Sequence, residues 1–187
     1  VTGGGGGIGG AIAQRFASEG AKLAIVDIDT EAAESRARQL AAEGADTIAL
    51  VADVTNKQSV TDMVQATLDR WKRIDILVNV AGGADRKSVI DMTAADWDHI
   101  VDMNLKSVFL CSQAVLPIIL KQHYGKIVNI SSIYGFTGNA TRSSYAAAKA
   151  GVAAFTKSLA LEHAQDGLNI NAIAPGPTLT GLTRASY

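Results

Sequence analysis

A single cysteine in 187 residues, Cys111, excludes an internal disulfide framework and suits a reducing compartment such as the cytoplasm. Neither sign of charge is in excess: 17 Lys and Arg against 18 Asp and Glu leave −1, without the basic footprint that nucleic-acid binding requires. The longest apolar stretch, 108–120, is interrupted by Ser112, Gln113 and Pro117, so no membrane span is expected there. The three histidines, His99, His123 and His163, have no ligand-like spacing, and no metal site is expected. Charged residues are scarce, at 19%, while 48% are apolar. Such a chain buries enough surface to fold, and its length suits one domain, residues 1–187.

Glycine is what the chain has in concentration, with seven of its 18 glycines between positions 3 and 10. Beyond them, short apolar runs rich in β-branched residues (21–27, 46–51, 74–80, 126–130, 168–173) alternate with stretches of helical period. Those stretches cover 8–19, 30–43, 56–71, a long one from Thr93 to His123 broken near residue 104, and 143–164. The alternation predicts a Rossmann-type doubly wound parallel sheet with helices on both faces, a three-layer α/β/α domain. In such sheets ligands bind beyond the carboxyl ends of the strands. The unusual residues do gather just after the apolar runs: the glycines, Asp27, Asp53, Asn79 to Gly82, Ser131-Ser132 and Pro175-Gly176-Pro177.

A glycine-rich turn leading into a helix lets backbone approach a pyrophosphate, whose charge then faces the helix N-terminus. Five consecutive glycines satisfy three registers at once: Gly4-x-Gly6-x-x-Gly9, Gly3-x-x-x-Gly7-x-Gly9 and Gly3-x-x-Gly6-x-x-Gly9. The motif therefore reads as a phosphate turn without choosing among families. Asp27, eighteen residues after Gly9, is placed to accept hydrogen bonds from the adenosine ribose hydroxyls and to repel a 2′-phosphate. No Arg or Lys stands at Gly6 or Ile28 to offset it, so NAD is favoured over NADP. Asp53-Val54 follows the 46–51 run, where an adenine ring would lie, and also fits a turn before a helix.

Tyr145 and Lys149 are four apart at the start of a predicted helix and share one face. A tyrosine of ordinary pKa, about 10, is a poor base at neutral pH, and a neighbouring ammonium favours the phenolate. Ser132, just past a strand, adds a hydroxyl able to bond a substrate oxygen. Asn104 sits in a polar interruption, Asp102-Met103-Asn104, of an otherwise apolar helix, and helix bending or capping explains it equally well. Cys111, Trp71 and Trp97 read as packing residues, and Ser131 and Ser144 have no independent argument.

Together these residues resemble the short-chain dehydrogenase/reductase family in its single-domain subfamily. Thr2-Gly3-x-x-x-Gly7-Ile8-Gly9 is similar to the family's nucleotide turn, and Asp53-Val54 to its adenine contact. Asn79-Val80-Ala81-Gly82 resembles the Asn-Asn-Ala-Gly motif, with valine replacing the second Asn. Asn104, Ser132, Tyr145 and Lys149 match the catalytic tetrad, and Pro175-Gly176-Pro177-Thr178-Leu179-Thr180 resembles the segment at the nicotinamide carboxamide and phosphates. The resemblance implies hydride transfer between a nicotinamide cofactor and a secondary alcohol or ketone. In it Tyr145 exchanges the proton, Lys149 holds ribose hydroxyls and eases tyrosine ionisation, Ser132 orients the substrate oxygen, and Asn104 anchors a relaying water. The implied cofactor contacts are Gly3, Gly7, Ile8, Gly9, Asp27, Asp53, Val54, Asn79, Ala81, Gly82, Tyr145, Lys149, Pro175, Gly176, Thr178 and Thr180. It also implies a homotetramer paired through the apolar faces of 105–120 and 146–161.

Two other function classes stay open: a catalytically silent NAD-binding sensor or scaffold, and an NAD-dependent epimerase or dehydratase. Substrate choice is expected to rest on 83–89, on 133–142 and on the segment after Thr180, with Tyr134 and Phe136 as aromatic lining and Arg86 or Arg142 meeting an acidic group. A strand is expected before Gly3, where only Val1-Thr2 stand, and relatives run on past the Pro-Gly segment, so the chain is expected to be truncated at both ends.

Overall fold

In the computed structural model, which describes residues 1–180, five parallel strands and their crossover helices build the predicted doubly wound α/β domain. The strands are β1 (Leu23–Asp27), β2 (Thr47–Val51), β3 (Ile76–Asn79), β4 (Gly125–Ile130) and β5 (Leu168–Ile173). The helices are α1 (Gly7–Ser18), α2 (Thr30–Ala42), α3 (Lys57–Trp71), α4 (Ala94–Val101), α5 (Ser107–Lys121), the short α6 (Tyr134–Thr137) and α7 (Ser143–Glu162).

β2 pairs with β1, and β4 pairs with both β3 and β5. The two groups are joined by Thr2, which bridges Val26 on one side and Asn79 on the other, both in parallel sense. Its N–H donates to the Val78 carbonyl at 3.0 Å, and the Gly4 N–H donates to Val26 at 3.0 Å. The order across the sheet is therefore β2, β1, Thr2, β3, β4, β5. The chain leaves Thr2 toward β1 and later returns to the other side at β3, which puts a topological switch point beside the glycine turn.

Period-two alternation sorts the strand residues between two cores. Leu23 and Ile25 pack with Ala13, Ala37 and Leu40 under α1 and α2. Val26, Leu77, Ile127 and Ile170 face the opposite way and pack with Val60 and Met63 of α3, Val115 and Ile119 of α5, and Leu159 of α7. Asp29 and Asn56 cap α2 and α3 with their side chains, and Thr93 and Asp96 form a capping box at α4.

The break expected near residue 104 is a π-helical segment, Asp102–Lys106, between α4 and α5. Counted as one, Ala94–Lys121 is apolar enough over 28 residues to cross a membrane on composition alone. Cys111, Val115 and Ile119 instead pack it into the main core. Burial there pushes the Cys111 thiol up to about 12, so it is inert packing. Trp97, expected to pack, is 40% exposed.

Candidate active site

Two confluent clefts open at the carboxyl edge of the sheet, of about 710 and 400 Å³, and they share Ile8, Val80, Gly82 and Thr180. The larger runs from the glycine turn past the ends of β1 and β2. The smaller lies over the end of β4 and the first turns of α7.

The glycine turn resolves its own degeneracy in three dimensions. A side chain at Gly9 would put a Cβ 2.0 Å from the Gly3 carbonyl oxygen, and Gly3 and Gly7 have φ of +62° and +53°. At Gly6 φ is −156° and an added Cβ meets nothing within 4 Å. The geometry thus demands glycine at 3, 7 and 9, the Gly-x-x-x-Gly-x-Gly register. Thr2 braces the same turn: its hydroxyl accepts from the Val80 and Ala81 N–H groups at 3.1 and 3.3 Å. The bare backbone at the head of the twelve-residue α1 fits a pyrophosphate.

Asp27 ends β1 on the wall of this cleft. Its Oδ2 accepts from the Gly5 N–H at 3.0 Å and its Oδ1 from Asp29 N–H at 3.2 Å, which fixes the carboxylate and leaves lone pairs for a ligand. Asp53 and Val54 line the cleft beyond β2. Asp53 also makes the turn considered from sequence, since its Oδ1 accepts from the N–H and hydroxyl of Thr55. Gly3, Gly7, Ile8, Gly9, Ala81 and Gly82 complete this side.

Asn79 stands apart from the other expected contacts. Among the expected cofactor contacts it alone lines neither cleft. It is buried, and its Nδ2 donates to Asn129 Oδ1 of β4 at 2.9 Å; Asn129 in turn donates to Thr156 of α7 at 2.9 Å. The two asparagines are direct partners in the β3–β4 register, which brings their side chains together. Asn79 ties the sheet to α7, and sequence reading missed its partners Asn129 and Thr156.

The four tetrad candidates all line the smaller cleft, with Pro175, Gly176, Thr178 and Thr180 on its far wall. Tyr145 lies in the first turn of α7 and Lys149 one turn on, so the Lys149 Nζ stands 5.7 Å from the tyrosine ring centroid. Lys149 is only 4% exposed; its Nζ donates to the Ile130 carbonyl at 2.8 Å, and burial lowers its pKa from 10.5 to about 8. Ser131, not singled out from sequence, donates its hydroxyl to the Lys149 carbonyl at 2.7 Å. Ser132 Oγ accepts from the Tyr134 N–H at 3.2 Å, which leaves its own proton for a substrate oxygen.

Asn104 is fully buried within the π-helical segment. Its Nδ2 donates to the carbonyls of Gly83 and Ile100 at 2.7 and 2.9 Å, while its Oδ1 is buried without a protein partner. A Cβ added at Gly82 would lie 2.6 Å from that Oδ1 and 3.5 Å from Lys149 Nζ, so both polar groups flank one gap that only glycine keeps open. Of the expected substrate-lining residues, Tyr134, Arg86 and Arg142 line the cleft; Phe136 does not and is 64% exposed. The segment after Thr180 lies outside the described residues.

Comparison with known proteins bears on this arrangement. The family model described as short chain dehydrogenase matches residues 1–187. The chain is 41% identical over 184 residues to the 3-oxoacyl-[acyl-carrier-protein] reductase of Synechocystis sp., covering 98% of this chain and 74% of that protein. It is 42% identical over 189 residues to levodione reductase of Leifsonia aquatica, covering 100% of this chain and 71% of that protein. The crystal structure of levodione reductase superposes with a TM-score of 0.94 at 40% identity, covering 99% of this chain and 73% of that one. The crystal structure of gox2181 gives 0.96 at 40% identity, covering 98% and 73%. The chain belongs to the short-chain dehydrogenase family and is an NAD(P)-dependent oxidoreductase acting between CH–OH and carbonyl groups.

Proposed function

We propose that this chain interconverts a secondary alcohol and its ketone with NAD, using Tyr145, Lys149, Ser132 and Asn104. The observation that carries the reading is the buried Lys149 ammonium 5.7 Å from the Tyr145 ring, in a cleft confluent with the glycine turn.

The nicotinamide cofactor, when bound, supplies the hydride acceptor or donor. Gly3, Gly7, Ile8 and Gly9 would hold its pyrophosphate, Asp27 its adenosine ribose, and Asp53 and Val54 its adenine. Ala81, Gly82, Pro175, Gly176, Thr178 and Thr180 would hold the nicotinamide end, with Lys149 bonding the ribose there. The chain's own residues manage the proton. The Lys149 ammonium faces the Tyr145 ring, and the tyrosine takes the alcohol proton in oxidation and returns it in reduction. The Ser132 hydroxyl donates to the substrate oxygen and holds it at Tyr145. Asn104 Oδ1 and Lys149 Nζ, across the gap over Gly82, suit a water that carries the proton onward.

NAD is preferred because the Asp27 carboxylate meets the ribose hydroxyls and repels a 2′-phosphate, with no cation at Gly6 or Ile28 to relieve it. Phe109 on α5 and Leu161 on α7 are 42% and 79% exposed, which supports pairing of these helices between subunits of a homotetramer.

Replacing Tyr145 by Phe tests the central assignment. Turnover falls by about a thousandfold or more while NADH still binds, as followed by cofactor fluorescence. Residual activity near that of the parent would refute the tyrosine's role.

A further inference from the structure

The two clefts carry opposite charge. Among the described residues, Asp27, Asp53 and Asp102 line the larger, with no Lys or Arg, and Arg86, Arg142 and Lys149 line the smaller, with no Asp or Glu. A chain of net charge −1 has no general surplus of cations to account for this. Lys149 is engaged with the Ile130 carbonyl. Neither arginine has an ion pair among the described residues. Arg142 is half-buried, and its guanidinium is stacked 5.8 Å from the ring centroid of Tyr134, next to the cleft floor at Ser132. The ring covers one face of the Arg142 guanidinium and leaves its charge without a counterion, and its planar fork matches a carboxylate or phosphate. Both arginines stand outside the larger cleft, which holds the glycine turn.

We propose that the substrate is an anionic carbonyl compound, bound through a carboxylate or phosphate by Arg86 and Arg142 while its carbonyl faces Tyr145 and Ser132. This rests on the hydride-transfer reading above. In reduction the carbonyl carbon gains a hydride from reduced nicotinamide, which is oxidised, and the oxygen gains the Tyr145 proton, giving a hydroxy compound that keeps its anion. The anion serves as an anchor, and the field of three cations in a cleft of about 400 Å³ concentrates such substrates over neutral ones.

The test compares kcat/KM with NADH for 2-oxobutanoate, 3-oxobutanoate and 4-oxopentanoate, each against its methyl ester, and for 3-oxobutanoyl-CoA against its N-acetylcysteamine thioester. At least one anion is expected to exceed its neutral partner by about tenfold or more, the acid arm marking a carboxylate and the thioester arm a phosphate. Arg86→Gln and Arg142→Gln each lower that ratio by about tenfold, and Arg142→Lys restores part of it. Arg86 is exposed, so its variant folds even if loss of the Tyr134 stacking unsettles the other. Neutral partners doing as well in every pair, or a ratio that survives both Gln substitutions, overturns the proposal. If neutral ketones turn over in a Tyr145-dependent way without preference for anions, this proposal alone falls. Absence of turnover across the whole panel overturns both readings.

Discussion

The Ser131 hydroxyl donates to the Lys149 carbonyl at 2.7 Å, and the Lys149 ammonium donates to the Ile130 carbonyl at 2.8 Å, so the end of β4 and the second turn of α7 hold each other at two points. The strap sets how far the ammonium reaches toward Tyr145. Ser131→Ala removes one point without touching the cleft chemistry. We expect a stability loss of about 1 kcal/mol by urea unfolding and a fall in kcat of about tenfold. The affinity for NADH changes little. An unchanged kcat would show that the strap does not position Lys149.

Lys149 makes stability depend on pH. Its pKa is 10.5 ordinarily and about 8 in the folded chain, because burial disfavours the ammonium. Between those values the unfolded chain binds more protons than the folded one, so raising the pH favours folding. Compared with Lys149→Met, the parent should gain stability from pH 8 to 10.5, with a slope of up to about 1.4 kcal/mol per pH unit, and the difference should be flat below pH 8. Paired urea titrations at pH 7, 8, 9 and 10 measure it. A slope of the opposite sign would contradict the burial.

The glycine register gives a paired test. Gly9→Ala drives a Cβ to 2.0 Å from the Gly3 carbonyl oxygen, and the turn must rebuild. We expect a loss of about 3 kcal/mol or more, whereas Gly6→Ala, with open space around its Cβ, loses only what alanine costs at a helix N-cap, about 1 kcal/mol or less. Equal losses at both positions would refute the register.

The proposed preference for NAD turns on one charge. Asn at position 27 keeps an acceptor for the Gly5 N–H but no longer repels a 2′-phosphate. The ratio of kcat/KM for NADP over NAD should rise by about 10- to 100-fold in Asp27→Asn, and further with Gly6→Arg added. An unmoved ratio would remove Asp27 from cofactor discrimination.

Much of the fold was legible because its signals are local. The apolar run at 74–80 contains β3, and the caps Asp29 and Asn56 stand where the helical periods begin. Spacing and resemblance also single out Asn104, Ser132, Tyr145 and Lys149, which the fold gathers in one cleft. What could not be read depends on atoms distant in sequence. The glycine register is decided by the Gly3 carbonyl and the Ala81 backbone, not by which glycines are present. A motif singles out Asn79, but its bond to an asparagine fifty residues on is reached only through strand register. Ser131 carried no signal of its own, because a serine beside a serine reveals nothing about which of them faces the next helix.

The π-helical turn at Asp102–Lys106 amounts to an α-helix carrying one surplus residue. Removing that residue would let α4 and α5 run together with their apolar stripes still in phase, Ile100 at one end and Val108 at the other remaining buried. What would vanish is the slack by which Asn104 reaches Gly83 and Ile100 at once and keeps an oxygen over Gly82. A shortened helix of this kind would keep its apolar packing and lose its polar arrangement, which makes the insertion an allowance held open for the cleft.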